Sequence, residues 1–561
     1  MPHRLLRNLL VVIAWSIAAA SCEPSGRRTE VPDNPFFDDA TGDVSLDAIS
    51  DGAGDSWERP YPEFEPQSCS PLFNQDELVI YEIEIEPHVW LALQDRWLNW
   101  STYYDQGQDP KDWHPLLEFR YKTQTIHDAS IRLKGNVQNW HSSPDKMQFT
   151  FSFREEDSNG RFMGLRKVHL DAPHNDPTMI RERLAASFLA EFQVPTPCVN
   201  SAALYVNGEY YGLFSNVEFV DKEFLKRNFG QYSNGNLYKY DEKKTNESSP
   251  DTSDLDAFMS EMTSDEAEEL LDVEMLLRFL AGEAIMPQND GYFVGGTNFY
   301  VYHHPAWGMV MIPWDMDYSF ETAPVDADPV SYEVPWGLGK WPAFRAVMAD
   351  PVHVSRYKML LAEGVDLYGV DSLRRRIDGF VEQTAAYVEE DQNKPFSTVD
   401  HLIQLELLRI YVDDRREFLV QWLRDEGIEI GHQELVSGGW SILFGYARMT
   451  WQAAQDDCVR KGGELFVPGN QGEQDEIAAH AMGLVKDNWW IGANRHLVPG
   501  TWTDATGSVL NFTAWGPDQP NGTEEQQCVV LDTGMGGLWN DKECDGYSLP
   551  YICRRPVPTK Q

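Results

Sequence analysis

The sequence predicts a large α+β domain followed by a small disulfide-bonded domain, both carried behind an acidic N-terminal tether. Three observations predict this. Strand-like runs crowd the first part of the chain and amphipathic helices follow them, the order of an α+β fold. Past about residue 436 the texture changes: Trp, Gly and Asn become frequent and helix signals scarce. Four of the seven cysteines, Cys458, Cys528, Cys544 and Cys553, fall in that last part. At 561 residues the chain is also too long for one core. A hydrophobic content of 42% with 12% aromatics is that of a folded protein. The formal charge of −43 argues against nucleic acid as a partner, because phosphates need Lys and Arg to neutralise them.

Residues 1–21 join a basic start to an apolar run too short to span a membrane comfortably, the pattern of a signal peptide. Ala19-Ala20-Ser21-Cys22 resembles a bacterial lipobox, which implies lipidation of Cys22 and a lipid as the sole membrane anchor. Glu23, by resemblance to lipoprotein sorting signals, implies an exported lipoprotein of the outer membrane or cell surface. Setting Cys22 aside leaves six cysteines, and an even set in an exported chain predicts disulfides. A Cys69–Cys198 pair is an expectation that rests on the count only and that the sequence does not establish. Residues 22–70 are rich in Pro, Asp and Gly and form a flexible acidic tether.

Regular structure begins at "ELVIYEIEIEP" (Glu77 to Pro87), whose alternation predicts a half-buried strand. "ASIRLKGN", "KMQFTFSF" and "RKVHLDA" continue as strands. "DPTMIRERLAASFLAEF" predicts a helix with Asp176 as its cap and Pro177 at its first position. "AALYVNGEYYGLFSNVEF" then predicts a hairpin turning at Asn207-Gly208. A helix follows in "EAEELLDVEMLLRFLAGEAIM", and a second hairpin runs from "NFYVYHH" through "PAWG" to "MVMIPWDMD". Several amphipathic helices fill Pro351 to Glu426. There is no internal repeat.

The second hairpin poses the functional question. Its last strand ends on Asp315 and Asp317, acids that suit a turn, a salt bridge or a metal site equally well by residue type. The hairpin brings Asn298 near Asp315, with Asp290 on the preceding loop. Asp, Asn and Asp oxygens are hard ligands suited to Mg²⁺ bound through a nucleotide's phosphates.

These blocks, taken in order, resemble the spore coat protein H (CotH) kinase family, atypical members of the protein-kinase-like fold. "IRLKGN" with "DKMQFTFSF", "RKVHLDAPHNDPTMIRERLA", "YVNGEYYGLFSNVEFVDKEFLKRNFG", "GNLYKY" and "NFYVYHH…IPWDMD" carry the resemblance across residues 71–430. It implies a kinase that uses ATP and Mg²⁺. Asp290 would be the catalytic-loop Asp, and Asn298 and Asp315 the metal ligands. Asp317 would be a second ligand or a structural partner for an Arg. Lys146 is the candidate for contacting phosphates, and Glu218 for a place in or near the nucleotide pocket. The chain departs from the family in having Asn289 where Trp is expected, and in the added "GYFVGG".

Residues 436–556 resemble the C-type lectin-like domain, through "WQAAQDDCVRKGGELFVPGNQGEQDEIAAH", "WWIGANR", "QPN", "LWNDKEC" and "YICRR". The resemblance implies disulfides Cys458–Cys553 and Cys528–Cys544, and a cis peptide before Pro520. It also implies a Ca²⁺ site of Gln519, Asn521, Asn540 and Asp541. The usual Glu two residues before the inner Cys is Gln526 here, which leaves Asp541 as the only charged ligand.

Two functions follow. The first is surface-anchored transfer of the ATP γ-phosphate to a protein hydroxyl, with the lectin-like domain docking a glycan or protein. The second is a non-catalytic, carbohydrate-binding adhesion lipoprotein.

Overall fold

The computed structural model describes residues 67–137, 146–288, 290–292, 296–320, 324–330, 342–426, 428, 432–437, 439–484, 488–522 and 525–557. The signal peptide, Cys22 and nearly all of the tether lie outside the described residues.

A nine-stranded sheet forms the first layer. Its strands are β1 (Val79–Glu84), β2 (His114–Pro115), β3 (Glu118–Tyr121), β4 (Gln124–Ile126), β5 (Ser130–Leu133), β6 (Phe149–Ser152), β7 (Lys167–Asp171), β8 (Val199–Val206) and β9 (Glu209–Glu218), in spatial order β2-β5-β6-β7-β9-β8-β1-β3-β4. Among the described residues of this sheet, only β1 and β8 pair in parallel. Alternate residues of β1 are buried, as its pattern predicts. The β8–β9 hairpin turns at Asn207 and Gly208, both at positive φ, which suits the right-handed twist of its strands. A dense aromatic core beneath the sheet includes Phe119, Phe149, Phe151 and Phe153, with Trp97 from helix α1 (Pro87–Leu98). That helix starts at the proline where the strand-like run of the sequence ends.

Helix α2 (Arg181–Glu191) starts later than Asp176 and Pro177 predict. Asp176 instead holds a tight turn: its Oδ1 accepts from the Thr178 amide and its Oδ2 from the Arg181 amide, at 2.9 and 2.8 Å. Its carboxylate therefore serves the turn before the helix. Next come α3 (Ser264–Leu270) and α4 (Val273–Ile285). A four-stranded sheet follows, in the order β11 (Glu242–Lys243), β10 (Asn236–Lys239), β12 (Phe299–His304), β13 (Gly308–Pro313). The β12–β13 hairpin matches the expected one, with Phe299 opposite Pro313. Helices α5 (Pro351–Leu367), α6 (Val370–Glu390) and α7 (Thr398–Asp425) close the domain.

The C-terminal domain has strands β14 (His432–Ser437), β15 (Trp440–Met449), β16 (Glu464–Leu465), β17 (Trp489–Asn494), β18 (Cys528–Asp532), β19 (Leu538–Lys542) and β20 (Leu549–Pro556), with helices α8 (Trp451–Arg460) and α9 (Gln471–Leu484). Trp451, Trp489, Trp490 and Trp539 fill its core. Disulfides join Cys458 to Cys553, Cys528 to Cys544, and Cys69 to Cys198. Met359 of α5 packs into this domain's apolar core, so the two domains share a contact.

Candidate functional site

The site lies where the end of β7, the start of α2 and the exit of the β12–β13 hairpin meet. Asp171 is the last residue of β7, Glu182 sits in the first turn of α2, and Asp315 follows β13. One carboxylate oxygen from each lies within 4.8 Å of the other two. Lys134, just beyond β5, makes an ion pair with Asp171 and lies 4.0 Å from Asp315. Apart from Lys134, the Asp171 carboxylate has no partner among the described residues.

The charge of this cluster is unbalanced, with three carboxylates against one close ammonium. Burial raises the Glu182 carboxyl well above its ordinary range, and Asp171, Asp315 and Asp317 push it further. Burial and Asp315 likewise raise Asp171, against the pull of Lys134. Lys134 is opposed by burial but held above the usual lysine range by Asp171 and Asp315. Lys239, at the end of β10, stacks its ammonium over Trp314 at 5.0 Å and Tyr300 at 5.1 Å. Burial draws it down to about 8, while Asp315 pulls the other way. Such a group of oxygens could hold a cation, because carboxylates crowded together need positive charge.

The sequence-chosen residues join this cluster from the hairpin side. The Trp314 amide donates to the Asn298 carbonyl at 3.0 Å, which extends the β12–β13 pairing up to Asp315. Asn298 and Asp315 both stand at positive φ, which Asn and Asp tolerate better than most residues. Asn298 Nδ2 donates to Asp290 Oδ2 at 2.8 Å, leaving the amide oxygen turned away from Asp290. Thr297 Oγ1 donates to the other Asp290 oxygen at 3.0 Å. Asp290 is exposed on its loop. Asp317 accepts from Asn175 Nδ2 at 3.2 Å, and burial and Asp315 raise its carboxyl.

Two choices need correction. Lys146 is 2% exposed, and its ammonium lies 2.6 Å from Asp391 Oδ2 and over the Phe214 ring, a dry structural pair. The lysine beside the acids is Lys134. Glu218 is committed to Arg227 at 2.7 Å and to the Cys198 amide at 2.9 Å, tying β9 to the start of β8. Lys134, Asp171, Glu182 and Lys239 were missed as site residues. Lys134 and Asp171 stand where the quoted strands end, the same signal that singled out Asp315. Glu182 gave none, since helix pattern does not reveal that a charged residue is buried.

In the C-terminal domain the Gln519–Pro520 peptide is cis, as the resemblance implies. Gln519 Oε1 and Gln526 Oε1 are buried carbonyl oxygens with no hydrogen-bond partner among the described residues. Asn540 donates its Nδ2 to Asp532 at 2.9 Å, which leaves its oxygen for another partner. Asp541 accepts from the Asn521 and Gly522 amides at 3.1 and 3.2 Å, and Arg495 lies 3.9 Å from it. This oxygen set fits Ca²⁺, with one carboxylate and a nearby guanidinium holding affinity to the weak range, roughly 10⁻⁴–10⁻³ M.

Comparison with known proteins gives the same two units. The family model described as CotH kinase protein matches residues 131–419, just over half of the chain. The chain belongs to that family. The model described as Lectin C-type domain matches residues 447–555. Mouse tetranectin is 35% identical over 111 residues, covering 19% of this chain and 54% of its own length. Human tetranectin is 34% identical over 110 residues with the same coverage. The chain thus spans about half the length of these curated relatives. Among solved structures, the mouse scavenger receptor C-type lectin carbohydrate-recognition domain is similar over 23% of this chain and 97% of its own, at 23% identity and a TM-score of 0.21.

Proposed function

We propose that the chain is a surface-anchored, atypical protein kinase-like lipoprotein that transfers the ATP γ-phosphate to a protein hydroxyl. The observation that carries this reading is the cluster of buried Asp171 and Glu182 with the partly exposed Asp315, joined through the Asn298–Trp314 pairing to the exposed Asp290. Mg²⁺ with ATP, when bound, supplies charge neutralisation and the phosphoryl group. Asp315, the Asn298 amide oxygen and one of the buried acids would hold the metal. Lys134 offsets the charge of the carboxylates and keeps the cluster folded while the site is unloaded. Asp290, fixed by Asn298 and Thr297, accepts or steers the proton of an incoming hydroxyl. Its exposure suits a macromolecular substrate.

The lectin-like domain docks glycan or protein, with a weak Ca²⁺ at Gln519, Asn521, Asn540 and Asp541. Lipidated Cys22 supplies the anchor, on the outer membrane or cell surface.

The test is phosphate transfer from γ-labelled ATP to exported proteins of the producing cell, with Mg²⁺. Asp290→Asn is expected to cut the rate about 10²–10⁴-fold, the usual worth of a positioned acid-base group. Equal labelling by the variant would overturn the assignment.

A further inference from the structure

We propose a second metal site, for a single Zn²⁺, built by Glu268, Asp350 and His353 on the helical side of the kinase-like domain. Glu268 comes from α3, Asp350 caps α5, and His353 lies in the first turn of α5. None of the three belongs to the acidic cluster of the candidate active site.

The argument starts from the imidazole. His353 is 1% exposed, and both ring nitrogens face acceptors. Nδ1 lies 3.1 Å from the Val347 carbonyl, and Nε2 lies 3.1 Å from Glu268 Oε1. A neutral imidazole carries one N–H. If Nδ1 donates it to the carbonyl, Nε2 presents a lone pair toward a carboxylate. Two lone-pair donors at that distance need a positive species between them.

A proton would serve these two groups, but the third ligand favours a metal. An Asp350 oxygen joins a His353 ring nitrogen and a Glu268 oxygen, all within 4.8 Å of one another. Asp350 Oδ1 caps Val352 at 2.7 Å, so Oδ2 is the oxygen left for a cation. Ligands about 2.0–2.1 Å from a tetrahedral Zn²⁺ stand about 3.3 Å apart, close to the His353–Glu268 separation. A backbone carbonyl on the far nitrogen is the outer-shell contact that fixes a ligating imidazole. One nitrogen and two carboxylates suit Zn²⁺ better than Mg²⁺, which prefers all-oxygen, largely hydrated sites. Glu268 is 37% exposed, which gives the ion a way in and a fourth position for water. The bound ion would join α3 to α5 as a structural staple.

The test uses the full chain after chelator treatment, with Asp315→Asn as a background that weakens the other acidic cluster. Zn²⁺ is titrated by calorimetry and thermal shift in excess Mg²⁺, and Co²⁺ replaces it for visible absorption. One equivalent of Zn²⁺ should bind and raise Tm, and Co²⁺ should give tetrahedral bands. Glu268→Gln and His353→Gln should each weaken binding by about 10-fold or more. If His353→Gln does not fold, the partly exposed Glu268→Gln decides. Binding unchanged in Glu268→Gln, or no Zn²⁺-dependent shift in the unsubstituted chain, overturns the site and leaves a protonated His353 paired with Glu268.

Discussion

At the scale of single residues, the candidate site depends on which lysine meets the acids. Lys134 contacts Asp171 and lies near Asp315, whereas Lys146 is closed into its pair with Asp391. Lys134→Met should therefore lower phosphoryl transfer about 10²–10³-fold, as the loss of one positioned electrostatic partner does. Lys146→Met should leave nucleotide affinity of the folded fraction unchanged, while urea denaturation reports a loss of about 3–5 kcal/mol from the unpaired Asp391. The placing of Asn298 near Asp290 and beside the strand that leads to Asp315 was legible in the sequence, because it follows from the hairpin register. Lys146 misled because a lysine leading a strand reads alike whether it faces a pocket or a buried aspartate 245 residues away.

At the scale of elements, the strands and the two hairpins were readable from alternation and from Asn-Gly. Helix α1 was not, because "EIEIEP" carries a strand pattern up to the proline that opens the helix. The start of α2 was displaced because Asp176 could cap a helix or hold a turn, and tertiary packing chose the turn. Helix α4 illustrates a further point hidden from pattern. Burial opposes the charge of Glu274, but Arg356 at 2.7 Å and Arg278 at 3.2 Å outweigh it and hold the carboxyl well below the ordinary range. Its folded-state pKa is depressed, so its stabilisation is present above the unfolded value of about 4.3 and is lost as pH falls below it. The stability gap between the unsubstituted chain and Glu274→Gln, from urea curves at pH 6 down to 3, should shrink steadily.

At the scale of the whole molecule, a nine-stranded sheet, a helical half and a lectin-like domain are joined by disulfides within each domain and by contacts between domains that include Met359. The count of cysteines predicted disulfides and the lectin-like resemblance gave the two C-terminal pairs, whereas the packing of Met359 between domains left no local trace. Cys69–Cys198 closes a separation of 129 residues, so its removal by paired Ser substitutions should cost about 2–5 kcal/mol in equilibrium unfolding. The proposed Ca²⁺ site of the lectin-like domain is separable from the proposed catalytic one. Asp541→Asn, which removes its only charged ligand, should abolish Ca²⁺ binding by calorimetry and leave phosphoryl transfer intact. The central claim is that the acids at the end of the β12–β13 hairpin hold a metal–nucleotide complex. It is tested most directly by the thermal shift of the purified chain with ATP and Mg²⁺, beside Asp315→Ala. A rise in Tm that needs both ligands and disappears in the variant is the predicted result. No rise in the unsubstituted chain, or an equal rise in both, would contradict it and make the hairpin's aspartates a structural turn in a binding protein.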